Sequence, residues 1–330
     1  RNDDEIHLAA LDLNETFSTT VSNLKPVGDT SWPNYILGAA AQFLKLGITL
    51  PGFNASLSSD VPIGAGLSSS AAVECATVFA LDELLQTDLD RISMVEMAQK
   101  AEHEYAGVMC GIMDQFSSVM GQENKVIKID CRTLDYEYHA ANFSDYSLVL
   151  FDSNVKHSLM TSAYNERRQQ CDEGIAIIKM NYPKITSFRD CTENQVISLK
   201  DKMSKDVFKR SLFAVKEIKR VTLACDALDK GDIQTLGQLM FETHQGLSVD
   251  YEVSCDELDF LVNTVNVENA VIGSRLMGGG FGGCTINLIK KGEEEAIKSK
   301  LSKLYLDAFG IELKIYDVKI GNGTSLYIAK

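Results

Sequence analysis

One segment, VPIGAGLSSSAAVE at residues 61 to 74, constrains the folding of this 330-residue chain more than any other. It follows a strand-like stretch, GFNASLS, and leads into AAVECATVFALDELL, an apolar run of strong helix formers that reads as a long, mostly buried helix. Strand, glycine loop and helix N-terminus in that order make an arrangement suited to phosphate. Gly64 and Gly66, with Ala65 between them and Leu67 after, let backbone N–H groups approach an anion, and the helix adds the positive end of its dipole. Ser68, Ser69 and Ser70 supply successive hydroxyls able to donate to phosphate oxygens or to ligate magnesium. Two standard phosphate motifs do not fit. No lysine stands where a Walker A loop needs one, and Ser69 occupies the third-glycine position of a dinucleotide fingerprint. Without the serines, the same loop reads more readily as a tight connection than as a phosphate site.

Such a cradle must create local positive potential, because the chain carries a net charge of −14. That excess opposes binding to nucleic acid or anionic membrane. No apolar run approaches the roughly 18 residues that span a bilayer, and no basic-then-apolar start marks the chain for secretion. The eight cysteines form no CxxC pair and show no metal-ligand spacing. They read as reduced thiols of a cytoplasmic protein.

Length favours two domains, since single cores stop growing at roughly 250 to 300 residues. Residues 5 to 23 alternate in pieces that predict a strand pair turning at Asn14 and Glu15, so the chain opens inside an established sheet, and a fragment is the simpler expectation. Helical spacing runs from Trp32 to Leu46, with Pro33 suited to the first turn. Another helix is predicted from Ile92 to Tyr105, stopping near Gly107, with a second break at Gly111. Strands follow at KVIKID and SLVLFDS. Beyond Lys156 come charge-laced helices at 162–180, 206–229 and 232–243, then the strand TINLI, a helix at 293–309 and the strand LKIYDVK. The boundary is expected near residue 155, giving domains at 1–155 and 156–330 and an α+β fold class.

Two more segments carry chemistry. In AEHEYAGVMCGIMDQFSSVMGQ, Glu102 can complete a magnesium shell, and Asp114 can accept a proton from, or orient, an attacking hydroxyl. One straight helix would put them about 120° apart, and the breaks at Gly107 and Gly111 make convergence possible. Taken singly, each reads more readily as a solvated or capping acid than as a functional one. In SRLMGGGFGGCTINLI, glycines formally satisfy GxGxxG, but a β-branched strand follows instead of a helix, so the dinucleotide reading fails its context. Either a tight hairpin or a backbone lying against another group accounts for them.

Taken together, these segments resemble a known family. PIGAGLSSSAA is similar to the phosphate-binding motif of the GHMP family of sugar and small-molecule kinases, and LMGGGFGGC to that family's C-terminal glycine motif. Within it, GIMDQF, KHSLMTSAYNERRQQC and DYEVSCDELD resemble the galactokinases, so the likeness runs from about Trp32 through the second glycine loop. It implies an α+β N-terminal domain and a ferredoxin-like C-terminal domain with the active site between them. It also implies ATP-dependent phosphorylation of galactose at the C1 hydroxyl, the first step of galactose utilisation, with ATP and Mg2+ bound and the protein a cytoplasmic monomer. Gly64 to Ser70 would wrap the ATP phosphates, Ser70 and Glu102 would hold magnesium, and Asp114 would be the catalytic acid/base. Tyr164 and the backbone near Gly111 would contact the sugar, and Trp32 and Tyr35 would lie toward the adenine. A kinase for a related sugar such as N-acetylgalactosamine is the nearest alternative. A non-catalytic galactose and ATP sensor is another, opposed by the intact serine loop. The resemblance further implies a segment like GRVNLIGEHTDYN ahead of Arg1 that supplies an Arg for the catalytic Asp and polar partners for the sugar. A chain without it is expected to lose galactose affinity and turnover.

Overall fold

The computed structural model describes residues 1–28, 31–156 and 160–327. Within them the chain divides into two units, Arg1–Tyr138 joined by the segment from Ile320 onward, and His139–Lys319.

In the first unit, β1 (Glu5–Ala10) turns Ile6, Leu8 and Ala10 inward by strict alternation. It pairs antiparallel with β2 (Glu15–Thr20) on one side and parallel with β3 (Phe53–Leu57) on the other. Entry into β3 requires a glycine, because a Cβ at Gly52 would stand 2.5 Å from the Glu5 carbonyl oxygen. Four helices cover this sheet: α1 (Pro33–Lys45), α2 (Ser69–Leu85), α3 (Arg91–Ala101) and α4 (Met113–Met120). Leu37, Phe43, Val78, Val95 and Phe116 form their common core with Ile6 and Leu8. The short pair β4 (Lys125–Ile129) and β5 (Tyr136–Ala140) follows. The C-terminal segment returns to this unit, where Gly323 N–H donates to Gly121 O at 2.7 Å and Thr324 N–H to Ser118 O at 2.8 Å.

The second unit is built on β6 (Tyr146–Lys156). Six helices, α5 (Met160–Asn181), α6 (Glu193–Ile197), α7 (Lys205–Lys230), α8 (Ile233–Gln245), α9 (Asp256–Asn266) and α10 (Glu294–Phe309), are interleaved with β7 (Val271–Leu276), β8 (Gly282–Lys290) and β9 (Lys314–Val318). The sheet runs β7-β8-β6-β9 with every neighbouring pair antiparallel. Reading only the sheet strands in chain order gives 4-1-3-2 from the β9 edge, the ferredoxin-like arrangement. Val149, Phe151, Leu261, Ile289, Leu301 and Tyr305 fill the space between sheet and helices.

The division at Tyr138 and His139 falls earlier than the expected position near residue 155, and the tail beyond Lys319 belongs with the first unit. The reason is pairing. Residues 146–152 of β6 pair with β8 and 148–152 with β9, so the chain has entered the second sheet before residue 155. The elements β5, α6, β7 and α9 are additions to the sequence reading, and His157 to Leu159 of the KHSLMTSAYNERRQQC motif lie outside the described residues.

Candidate active site

The glycine–serine loop adopts the conformation its composition asks for. Gly64 (φ 74°) and Gly66 (φ 72°) are left-handed, and so is Ser68 (φ 58°), a position where a side chain is strained. Helix α2 begins at Ser69 with no side-chain cap, and its first intrahelical bond is Ala72 N–H to Ser68 O. The N–H groups of Ser69, Ser70 and Ala71 therefore precede the helix's own bonding pattern, as an anion site requires. Ala65 is buried beneath the loop, Leu67 is half-buried, and Ile63 stands exposed beside them.

The breaks predicted at Gly107 and Gly111 are realised. Helix α3 ends at Ala101, Glu102–Ala106 winds as a wider π turn, and Gly107 (φ 71°) reverses the chain. His103 Nε2 lies 3.0 Å from Cys110 O, and Gln99 Nε2 donates to the same oxygen at 3.2 Å, holding the 107–112 loop. Helix α4 then puts Asp114 in its first turn, exposed, while its neighbour Gln115 is wholly buried. Gln115 Nε2 donates to Glu102 Oε2 at 2.7 Å and to Glu74 Oε2 at 3.2 Å, and the Cys110 thiol donates to Glu102 Oε2 at 3.2 Å. Gly111 is exposed beside this corner, and an added Cβ there would meet nothing within 4 Å.

Glu74 and Glu102 are thus two carboxylates in one dry corner with a single amide donor between them. Burial raises the Glu74 carboxyl far above its ordinary value, the Glu102 charge adds to that, and the Gln115 bond offsets only part of it. The same burial, reinforced by Glu102, pushes the Cys110 thiol up to about 12. Tyr35 is half-buried and its hydroxyl is raised too, by burial first and then by the Glu102 and Glu74 charges. Trp32 points elsewhere: its indole N–H donates to Glu15 Oε2 on β2 at 2.8 Å. Glu74 Oε1 and Gln115 Oε1 are buried with no hydrogen-bond partner. Among the described residues no group of three or more His, Cys, Asp or Glu gathers to hold a metal ion, so the corner offers two carboxylates and orphaned oxygens, only part of the oxygen shell that magnesium takes. Glu74 and Gln115 escape sequence reasoning, although an acid set among apolar residues in the first half of α2 was a usable signal.

In the second unit, Tyr164 lies on the first turns of α5 and is exposed. The glycine motif is the connection of an antiparallel hairpin between β7 and β8, so both readings of it hold together. Met277 N–H closes it on Cys284 O at 3.1 Å, and Phe281 N–H donates to Val253 O at 2.7 Å. The backbone approach is closest at Gly280, where a Cβ would lie 2.0 Å from Val253 O. A Cβ at Gly279 would lie 3.9 Å from Tyr164 Cδ2, which puts the tyrosine ring beside the loop.

Both units match family models, the GHMP kinases N-terminal domain over residues 34–122 and the GHMP kinases C-terminal domain over residues 224–307. The chain belongs to the GHMP kinase family. Among its relatives, a galactokinase of Thermotoga neapolitana is 40% identical over 94% of this chain and 86% of its own length. A galactokinase of Limosilactobacillus reuteri is 35% identical over 93% of this chain and 79% of its own length. In three dimensions, Lactococcus lactis galactokinase complexed with galactose superposes with a TM-score of 0.93 at 30% identity, covering 98% of this chain and 84% of that one. A mevalonate kinase at 21% identity and TM-score 0.67 shares the fold alone. In this GHMP kinase the uncapped serine loop, the exposed Asp114 and the buried carboxylate corner all belong to one unit, and Tyr164 and the glycine hairpin to the other.

Proposed function

We infer that this chain is a galactokinase, transferring the γ-phosphoryl group of ATP to the C1 hydroxyl of galactose to give galactose 1-phosphate. The observation that carries the reading is the likeness to galactokinases across both units, 40% identity over 94% of the chain. The geometry of the first unit supplies parts for the reaction. Free N–H groups at the start of α2 and the Ser68–Ser70 hydroxyls bind and orient phosphate oxygens and stabilise charge that develops there. Asp114, exposed and on a rigid helix, accepts or holds the proton of the sugar hydroxyl. Ser70 and Glu102 would hold magnesium, with Gln115 fixing the Glu102 carboxylate. When bound, the ion neutralises negative charge between phosphate oxygens. Gly111 and Tyr164 are read as galactose contacts and Tyr35 as lying toward the nucleotide, with Trp32 assigned there by resemblance although its indole is engaged by Glu15. The enzyme is read as a cytoplasmic monomer; no helix among the described residues is long and apolar enough to cross a membrane.

A coupled assay of ADP release, run with galactose and with N-acetylgalactosamine, tests the reading. Galactose-dependent turnover that falls by about 10²- to 10⁴-fold in Asp114→Ala supports it. Turnover with N-acetylgalactosamine only, or ATP binding without turnover on any sugar, overturns it.

A further inference from the structure

Glu252 occupies a conformation that its side chain makes costly. It is left-handed (φ 54°), in a segment where glycine would be the unstrained choice. Its carboxylate meets three cations: Oε2 lies 2.7 Å from Arg210 Nη2 and 3.8 Å from Arg167 Nη2, and Oε1 lies 3.4 Å from Lys209 Nζ. Arg210 is 1% exposed, and its remaining bonds go to neutral groups, Gln170 Oε1 at 3.1 Å and the Asp250 carbonyl. Among the described residues, Glu252 is the only carboxylate paired with this buried guanidinium. The Arg210 bond holds the Glu252 carboxyl below its ordinary range against the opposing effect of burial.

The same short segment grips α5 and the glycine hairpin. Arg167, one helical turn after Tyr164, donates Nε to Tyr251 O at 2.9 Å and Nη2 to Glu252 O at 3.2 Å. Gln170, a turn further on, is the residue that meets Arg210. On the other side, Val253 O receives Phe281 N–H at 2.7 Å and is the oxygen that excludes a Cβ at Gly280. The circuit closes where Gly279 faces the Tyr164 ring. The Tyr251–Val253 backbone therefore touches both the helix that carries Tyr164 and the loop beside its ring, and the Glu252 carboxylate ties that segment to Arg210.

We propose that Glu252 is a positioning residue, using its ion pair with buried Arg210 to set Tyr164 against the glycine hairpin for sugar binding. This rests on the reading of Tyr164 as a galactose contact. The strain at Glu252 persists because the Arg210 pair over-determines it, and glycine there would relax the backbone while releasing the clamp.

The test compares the full-length protein with Glu252→Gln, Glu252→Asp, Glu252→Gly, Tyr164→Phe and the Glu252→Gln/Tyr164→Phe double variant. Galactose affinity is read by calorimetry and by KM, alongside kcat, the KM for ATP and thermal unfolding. Glu252→Gln and Glu252→Gly are expected to raise the galactose KM and Kd about tenfold with the KM for ATP unchanged, and Glu252→Asp to restore part of the loss. Tyr164→Phe should weaken galactose as well, and the double variant should lose less than the product of the two single losses. Tyr164→Phe impaired with Glu252→Gln at wild-type affinity overturns the positioning role alone. Tyr164→Phe at wild-type affinity removes the sugar-contact reading on which it rests. A loss spread over kcat and both KM values in step with the unfolding temperature makes Glu252 merely structural and overturns the proposal.

Discussion

The carboxylate corner gives the most direct test of the physical argument. Glu74 is fully buried on α2, its partner Glu102 is buried beside it, and Gln115 is the only side chain shown donating to both. A glutamate whose folded pKa is raised keeps its proton after the unfolded chain has lost it. Unfolding therefore releases a proton at any pH between the ordinary value of 4.5 and the raised folded one. Over that window stability falls with pH by about 1.4 kcal/mol per pH unit relative to a chain lacking the group. Glu74→Gln keeps the shape and removes the titration. Between pH 6 and pH 8 the wild type should lose about 3 kcal/mol relative to the variant. Trp32, the only tryptophan, belongs to the first unit, so urea unfolding followed by its fluorescence in a chelator-containing buffer reports on the unit that holds the corner. Parallel pH profiles for the two proteins would refute the reasoning, showing that Glu74 is ionised in the folded state.

Other consequences can be measured directly. Gln115→Leu strips both carboxylates of their shared donor and should cost about 1–3 kcal/mol, with weaker Mn2+ binding by paramagnetic resonance; unchanged metal affinity would show that Gln115 does not orient Glu102. Gly280→Ala places a Cβ 2.0 Å from Val253 O at φ 79° and should destabilise the second unit by ~2 kcal/mol, seen as a lowered midpoint in its thermal transition. Iodoacetamide at pH 8 should label the exposed Cys131 well before Cys110, whose thiol is pushed up to about 12; equal rates in peptide mass analysis would contradict the buried contact with Glu102.

Much of the local architecture was legible in the order of residues. Pro33 and the spacing after it mark α1, Asn14 turns the first hairpin, and the glycine–serine loop announces the uncapped start of α2. Gly107 stops a helix because only a left-handed residue continues the chain there. These features depend on backbone preferences and apolar periodicity within a few neighbours, which a sequence states outright. The pairing of β6 was not legible, so the division between units was set too late in the chain. Strand partners lie far away in sequence, and no local rule selects them. Nor did the sequence announce that Glu74 and Glu102 share one corner through Gln115, or that Glu252 reaches Arg210. An acid in a sequence is a solvated charge until the fold surrounds it. Sequence alone determined which groups exist and which segments can cradle phosphate; tertiary structure decided which carboxylates lose water and which cations answer them, because desolvation and Coulomb energy depend on distances that only packing sets.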